Sequence, residues 1–129
     1  MRLPKALIIL NGLGALVAAG FSVVALFLPE AALPAGASVT PLATLYAEVY
    51  ASRAVPLGVL TLVLLARGEG PALVAVLAIA GLAQLGDAVS GALHGVVRMV
   101  MGGGLLAALH LGSAYWLGRP VGATAPPAV

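Results

Sequence analysis

An all-α, membrane-spanning four-helix bundle is the fold that this sequence predicts, and three observations predict it. Charged residues make up 8% of the chain against 62% hydrophobic ones, whereas the surface of a soluble domain needs about a quarter charged residues. Mean hydropathy is +1.16. The 129 residues contain four apolar runs of the ~20 residues that a bilayer core demands, separated by short polar breaks, which leaves no length for a soluble domain. The expected bundle is antiparallel, up and down. It forms a single domain over 1–119, with spans at about 6–28, 41–66, 71–94 and 98–117 and a disordered tail over 120–129.

Span one follows two cations in Met1–Lys5 and stays apolar from about Ala6 to Leu28, where Pro29 and Glu30 stop it. A secretory signal opens in the same way, but its apolar region is only ~7 to 15 residues, so a retained helix is expected. Gly12, Gly14, Ala15, Ala18, Ala19 and Ser22 recur at spacings that suit close helix contact. Asn11, the strongly polar side chain inside this span, is expected to bond to a neighbouring helix. The stretch Pro29–Thr40 reads as a surface loop, with Thr40 or Ser38 as N-cap and Pro41 at the first helical position.

Span two is polar in its first half and apolar in its second. At ~100° per residue, Tyr46, Tyr50 and Arg53 fall within about 60° of one another, and Glu48 with Ser52 points to nearly the opposite side. Pro56 removes a backbone hydrogen bond and is expected to kink the helix just past Arg53. The turn RGEG at 67–70 leads to Pro71 and span three, and Val96–Met101 is expected to connect it to span four. Within span four, Gly102, Gly103 and Gly104 permit close approach, and Tyr115 with Trp116 forms an interfacial belt before Arg119 and Pro120. Arg2, Lys5, Arg67 and Arg119 fall on one side of four spans, which is expected to place both termini on the cytoplasmic side.

Several function classes drop out. Without cysteine there is no thiolate nucleophile, disulfide or Cys-ligated metal. Six Lys and Arg without a cluster make no nucleic-acid footprint, and neither a metal motif nor a cofactor is expected. Gly81, Gly86, Gly91 and Gly95 follow no strand, so they read as helix packing rather than a phosphate loop.

The chemistry concentrates on span three. Gln84, Asp87, Ser90, Gly91 and His94 share roughly a third of its circumference. Arg53, inside antiparallel span two, reaches a similar depth. A lone charge there costs at least ~2.5 to 3.5 kcal/mol, so Asp87 and Arg53 are expected to pair. A purely structural ion pair is one reading. The surplus of polar groups at the same level favours a second, an outward-opening pocket in the lipid bilayer that binds a small lipophilic molecule and performs acid/base chemistry of isomerase, cyclase or hydrolase type. In that pocket Asp87, Arg53 and His94 are the catalytic candidates, and Tyr46, Glu48, Tyr50, Gln84 and Ser90 the ligand-binding ones. His110 reads as a hydrogen-bonded packing residue. The alternatives are an accessory subunit packed on a larger membrane complex or a homo-oligomer, and a small proton-coupled carrier.

Four spans in about 125 residues, SRAVPLG in span two, the RGEG turn and AQLGDAVSG in span three resemble the DoxX-like superfamily of small bacterial inner-membrane proteins. The resemblance covers spans two to four and rests on Arg53 and Asp87. It implies a four-helix bundle and, in some members, association with quinone or sulfur redox partners, whose thiols have no counterpart in a chain without cysteine.

Overall fold

The computed structural model describes residues 3–119, so the tail over 120–129 and Arg2 lie outside the described residues. Four helices are present: α1 (Lys5–Phe27), α2 (Pro41–Arg67), α3 (Gly70–Leu93) and α4 (Val97–Gly118). Each is long and apolar enough to cross a membrane. A short 3-10 turn, Pro29–Ala31, follows α1.

Local chemistry sets each boundary. The Thr40 hydroxyl accepts from the Ala43 amide at 3.1 Å and Pro41 occupies the first helical position, so one orphan amide is satisfied and another is missing by construction. At the far end of α2, Gly68 takes a φ of 68°. Its amide donates to the Leu65 carbonyl at 3.3 Å while the Glu69 amide donates to Leu64 at 3.2 Å, the paired pattern of a Schellman cap. The α3–α4 turn repeats the device with Gly95 at φ 69°, Gly95 to Ala92 at 3.4 Å and Val96 to Gly91 at 2.8 Å. Because Val96 already acts as the N-cap of α4, the connection is only His94–Val96, shorter than the expected Val96–Met101 break. Helix α2 runs through Pro56 without interruption.

Away from one leucine-rich end, the interior is built largely from small side chains and the exterior from large ones. Ala15, Ala25, Ala47, Ala51, Ala80, Ala88, Ala107 and Ala114 are buried, whereas Leu13, Val17, Phe21, Leu82 and Leu105 are exposed. In hydrocarbon, exposing leucine costs nothing, and close backbone approach supplies the attraction between helices. Packing is densest within two hairpins, α1 with α2 and α3 with α4, and thinner where the hairpins meet, α2 against α3 and α1 against α4. The facing residues run in opposite senses in each hairpin. Gly58 meets Ala15 and Ala19 across α1–α2, while Gly81 meets Leu111 and Gly91 meets Met99 across α3–α4.

Large apolar side chains close one end of the bundle. Leu64 and Leu65 cluster there with Leu73, Val76 and Leu77 of α3 and with Ala114 and Leu117 of α4. One polar bond crosses between α1 and α4, where Asn11 Nδ2 donates to Ser113 Oγ at 2.8 Å and to the Leu7 carbonyl at 3.0 Å. Other hydroxyls turn back on their own helices, Ser22 to the Ala19 carbonyl at 2.6 Å and Thr61 to that of Leu57 at 2.8 Å, which satisfies them without water. At the opposite end Arg98 donates to the Leu33 carbonyl and fastens the long α1–α2 connection to the start of α4.

Candidate functional site

Above the leucine cluster, α2 and α3 separate and leave a cleft of about 610 Å³ that all four helices line. Its walls are mostly small: Ala15 and Ala18 of α1, Ala54 and Gly58 of α2, Ala80 and Ala83 of α3. Ile79 and Leu82, 59% and 60% exposed, flank its edge.

Four of the eight residues singled out from the sequence line this cleft: Tyr50, Arg53, Gln84 and Asp87. Tyr50 and Arg53 are three residues apart on α2, and Gln84 and Asp87 three apart on α3, so each pair shares a helix face. The Tyr50 hydroxyl lies beside Asp87 and Gln84, and Arg53 is near enough for its charge to act on both Tyr50 and Asp87. Arg53 and Asp87 do not close the expected ion pair. The Arg53 Nε donates instead to the Val49 carbonyl at 3.4 Å, and the salt bridge among the described residues joins Arg67 and Glu69 at 3.6 Å on the surface. Asp87 therefore presents a carboxylate to the cleft with its acceptor positions uncommitted to a cation.

The other four stand outside the lining. Tyr46 is 65% exposed, and Glu48 and Ser90 are exposed as well. His94 terminates α3, with its Nδ1 2.9 Å from the Ser90 carbonyl. Tyr46 precedes Tyr50 by one turn, and Ser90 follows Asp87 by nearly one. They hold the right angular position but lie a turn beyond the polar end of the cleft.

Two features escaped the sequence reading. Gly58 carries no side chain where a Cβ would stand 2.9 Å from the Ala19 Cβ and 3.2 Å from the Ala15 carbonyl, so it brings α1 against the cleft's back wall. His110 is not hydrogen-bonded as expected. It is 2% exposed, both ring nitrogens lack a partner, and it lines the cleft from α4. Gly14 makes room for it, since a Cβ there would lie 3.1 Å from the His110 Nε2. An unpaired buried donor or acceptor costs ~1–3 kcal/mol, so this imidazole is an expensive way to fill space.

The arrangement has an apolar body with a mixed polar end, where Asp87 accepts, Arg53 donates, and Tyr50 and Gln84 do both. It suits a molecule that is mostly hydrocarbon and carries a group able to donate and accept a hydrogen bond. Among the described residues, no three His, Asp or Glu side chains gather to hold a metal. No protein-family model, curated protein or solved structure matches the chain.

Proposed function

We propose that this chain is a multi-pass inner-membrane protein that takes a small lipophilic molecule from the bilayer into the cleft between α2 and α3. The occupant's polar end is held by Asp87, Tyr50, Gln84 and Arg53. The observation that carries this reading is a cleft lined by all four helices in which the two charged side chains, Arg53 and Asp87, stand together with Tyr50 and Gln84. Structural packing alone has no use for a carboxylate left without an ion pair inside an apolar helix. Where the occupant is turned over, Asp87 is the group placed to move a proton and Arg53 the one placed to hold charge. The DoxX-like motifs in spans two and three agree with this reading, since their two polar anchors, Arg53 and Asp87, share the cleft.

Photolabelling in lipid nanodiscs tests it. A diazirine-bearing fatty alcohol is expected to label positions in the cleft, such as Leu57 and Ala83, whereas the matched hydrocarbon labels the outer surface at Phe21 and Leu105. Filling the cleft by Ala83→Trp should abolish the first pattern and leave the second. If alcohol and hydrocarbon label the same outer positions, the cleft is not a binding site and the accessory-subunit reading replaces it.

The proposed orientation puts Gly68–Glu69 and both termini in the cytoplasm, following the placement of Lys5, Arg67 and Arg119. A single cysteine introduced at Glu69 should resist a membrane-impermeant maleimide in intact cells, and one at Ala35 should react. The reverse pattern would invert the bundle.

A further inference from the structure

The register of α2 against α3 sets the polar side chains of the cleft on two levels. The helices are antiparallel and joined by the turn between Arg67 and Gly70, so residues equally far from that turn stand level with one another. Tyr50 and Asp87 are each seventeen residues from it, and Arg53 and Gln84 each fourteen. Asp87 therefore has the Tyr50 hydroxyl beside it, whereas the residue level with Arg53 on α3 is a neutral amide. The Arg53 Nε is taken by the Val49 carbonyl, and its two η nitrogens, with four N–H donors between them, have no partner among the described residues. Arg53 is exposed and lines the cleft, but it stands deep in the span. At ~1.5 Å per residue it is about 21 Å from the α2–α3 turn, and the nine residues from Gln84 to Leu93 put it about 14 Å from the other end of α3. An arginine close to a helix end snorkels to the lipid phosphates. From this depth the side chain falls short of them, so an anion has to come to Arg53.

We propose that the occupant of the cleft is a long-chain carboxylic acid, with its carboxylate on the Arg53 guanidinium and its hydrocarbon against Leu57, Ala80 and Ala83. The proposal rests on the cleft being a binding site and adds the substrate class. The planar fork of a guanidinium meets both oxygens of a carboxylate at once, which a single hydroxyl cannot match. Charge balance selects a free acid over an anionic phospholipid. The acid crosses hydrocarbon in its neutral form, because an unpaired charge there is costly. In the cleft its O–H bond breaks and the proton goes to the Asp87 carboxylate, nearly one turn along α3 from Gln84. Arg53, Asp87 and the occupant together carry no net charge before the transfer and none after it. A phosphodiester brings a negative charge and no proton to give, which would set two anions against one cation where the dielectric is low.

The test is competition against the diazirine fatty alcohol in nanodiscs of zwitterionic lipid, into which hexadecanoic acid, hexadecanol or phosphatidylglycerol is titrated. The acid is expected to block cleft labelling at about tenfold lower mole fraction than hexadecanol, the margin of a charge-assisted hydrogen bond over a neutral one. Phosphatidylglycerol should not block it. Arg53→Gln keeps an N–H donor and drops the charge, so the acid's margin over hexadecanol should disappear. A measurement on the wild type reports the same event without a variant. Carboxyl-¹³C hexadecanoic acid, at a pH where it is protonated in empty nanodiscs, should show an ionised carboxyl signal once the protein is present, and excess hexadecanol should remove that signal. An acid that competes no better than hexadecanol, a margin that survives Arg53→Gln, a bound acid that keeps its proton, or phosphatidylglycerol that competes as well as the acid overturns the inference even where the alcohol labels the cleft. Absence of cleft labelling by the fatty alcohol overturns the binding-site reading and this inference with it.

Discussion

Gly103→Ala destabilises the bundle, whereas the same change at Gly102 or Gly104 leaves it as stable or more so. A Cβ at Gly103 would sit 2.7 Å from the Gln84 carbonyl oxygen and 2.9 Å from the Ala88 amide nitrogen, and both are backbone atoms that cannot swing aside. At Gly102 and Gly104 a Cβ meets nothing within 4 Å among the described residues. The two outer substitutions therefore gain the ~0.5–1 kcal/mol of helix propensity that glycine forfeits. The central one loses ~1–3 kcal/mol to overpacking even after that gain. Thermal unfolding in detergent, followed through the loss of monodisperse protein, reads all three in one experiment. Equal midpoints for the three variants would mean that α4 does not pack on α3 through Gly103. A cost here also reaches the cleft, because Gln84, whose carbonyl Gly103 touches, lines its polar end.

The second large effect is a divergence between stability and binding at Asp87. In Asp87→Leu the photoreactive alcohol is expected to lose at least about tenfold in affinity, the loss of one charge-assisted hydrogen bond, while the folded yield stays equal or rises. The rise is some fraction of the ~2.5–3.5 kcal/mol that insertion scales assign to a carboxylate at the membrane centre, because Asp87 is only half-buried and no salt bridge offsets its desolvation. Asp87→Asn separates the two uses of the group. It keeps the shape and an acceptor, so binding is expected to fall only partly, but it removes the titratable proton, so the acid/base step that the proposed function assigns to Asp87 would stop. A protein whose Asp87→Leu variant folds poorly and binds normally would need that carboxylate for structure instead.

Much of the architecture could be read from residue order. The helices lie within a residue of the four apolar runs, because a bilayer imposes a minimum length and Pro41, Pro71, Gly68 and Gly95 punctuate the chain where the helices turn. The cap at Thr40 and the Asn11 bond to a neighbouring helix were likewise legible, each from the cost of an unsatisfied polar group. The site was legible in direction and not in depth. Periodicity placed Tyr46 with Tyr50 and Ser90 with Asp87, but the level at which the two hairpins part depends on which side chains meet across α1–α2 and α3–α4. Gly58 against Ala19 and Gly103 against Ala88 set that level. The expected Arg53–Asp87 pair failed for a related reason, since matching depth on facing helices leaves the lateral gap undetermined, and here the gap is the cleft. His110 was missed because its own helix offers it no partner at hydrogen-bonding spacing. The room it fills comes from the absence of a side chain at Gly14, which is not local to its sequence.

The uneven packing between neighbouring helices has a consequence for how the molecule comes into being. Residues that meet within α3–α4 are close in sequence, tied by the three-residue connection His94–Val96, whereas α1 and α4 meet through partners as distant as Asn11 and Ser113, 102 positions apart. Local pairings close quickly and distant ones late, and preformed helices associate side by side once inserted. The two hairpins thus assemble as separate units, and the seam between them is the last contact made. The cleft is that seam: its lining comes from both hairpins, so it does not exist in either half, and it is completed only when α4 has reached α1.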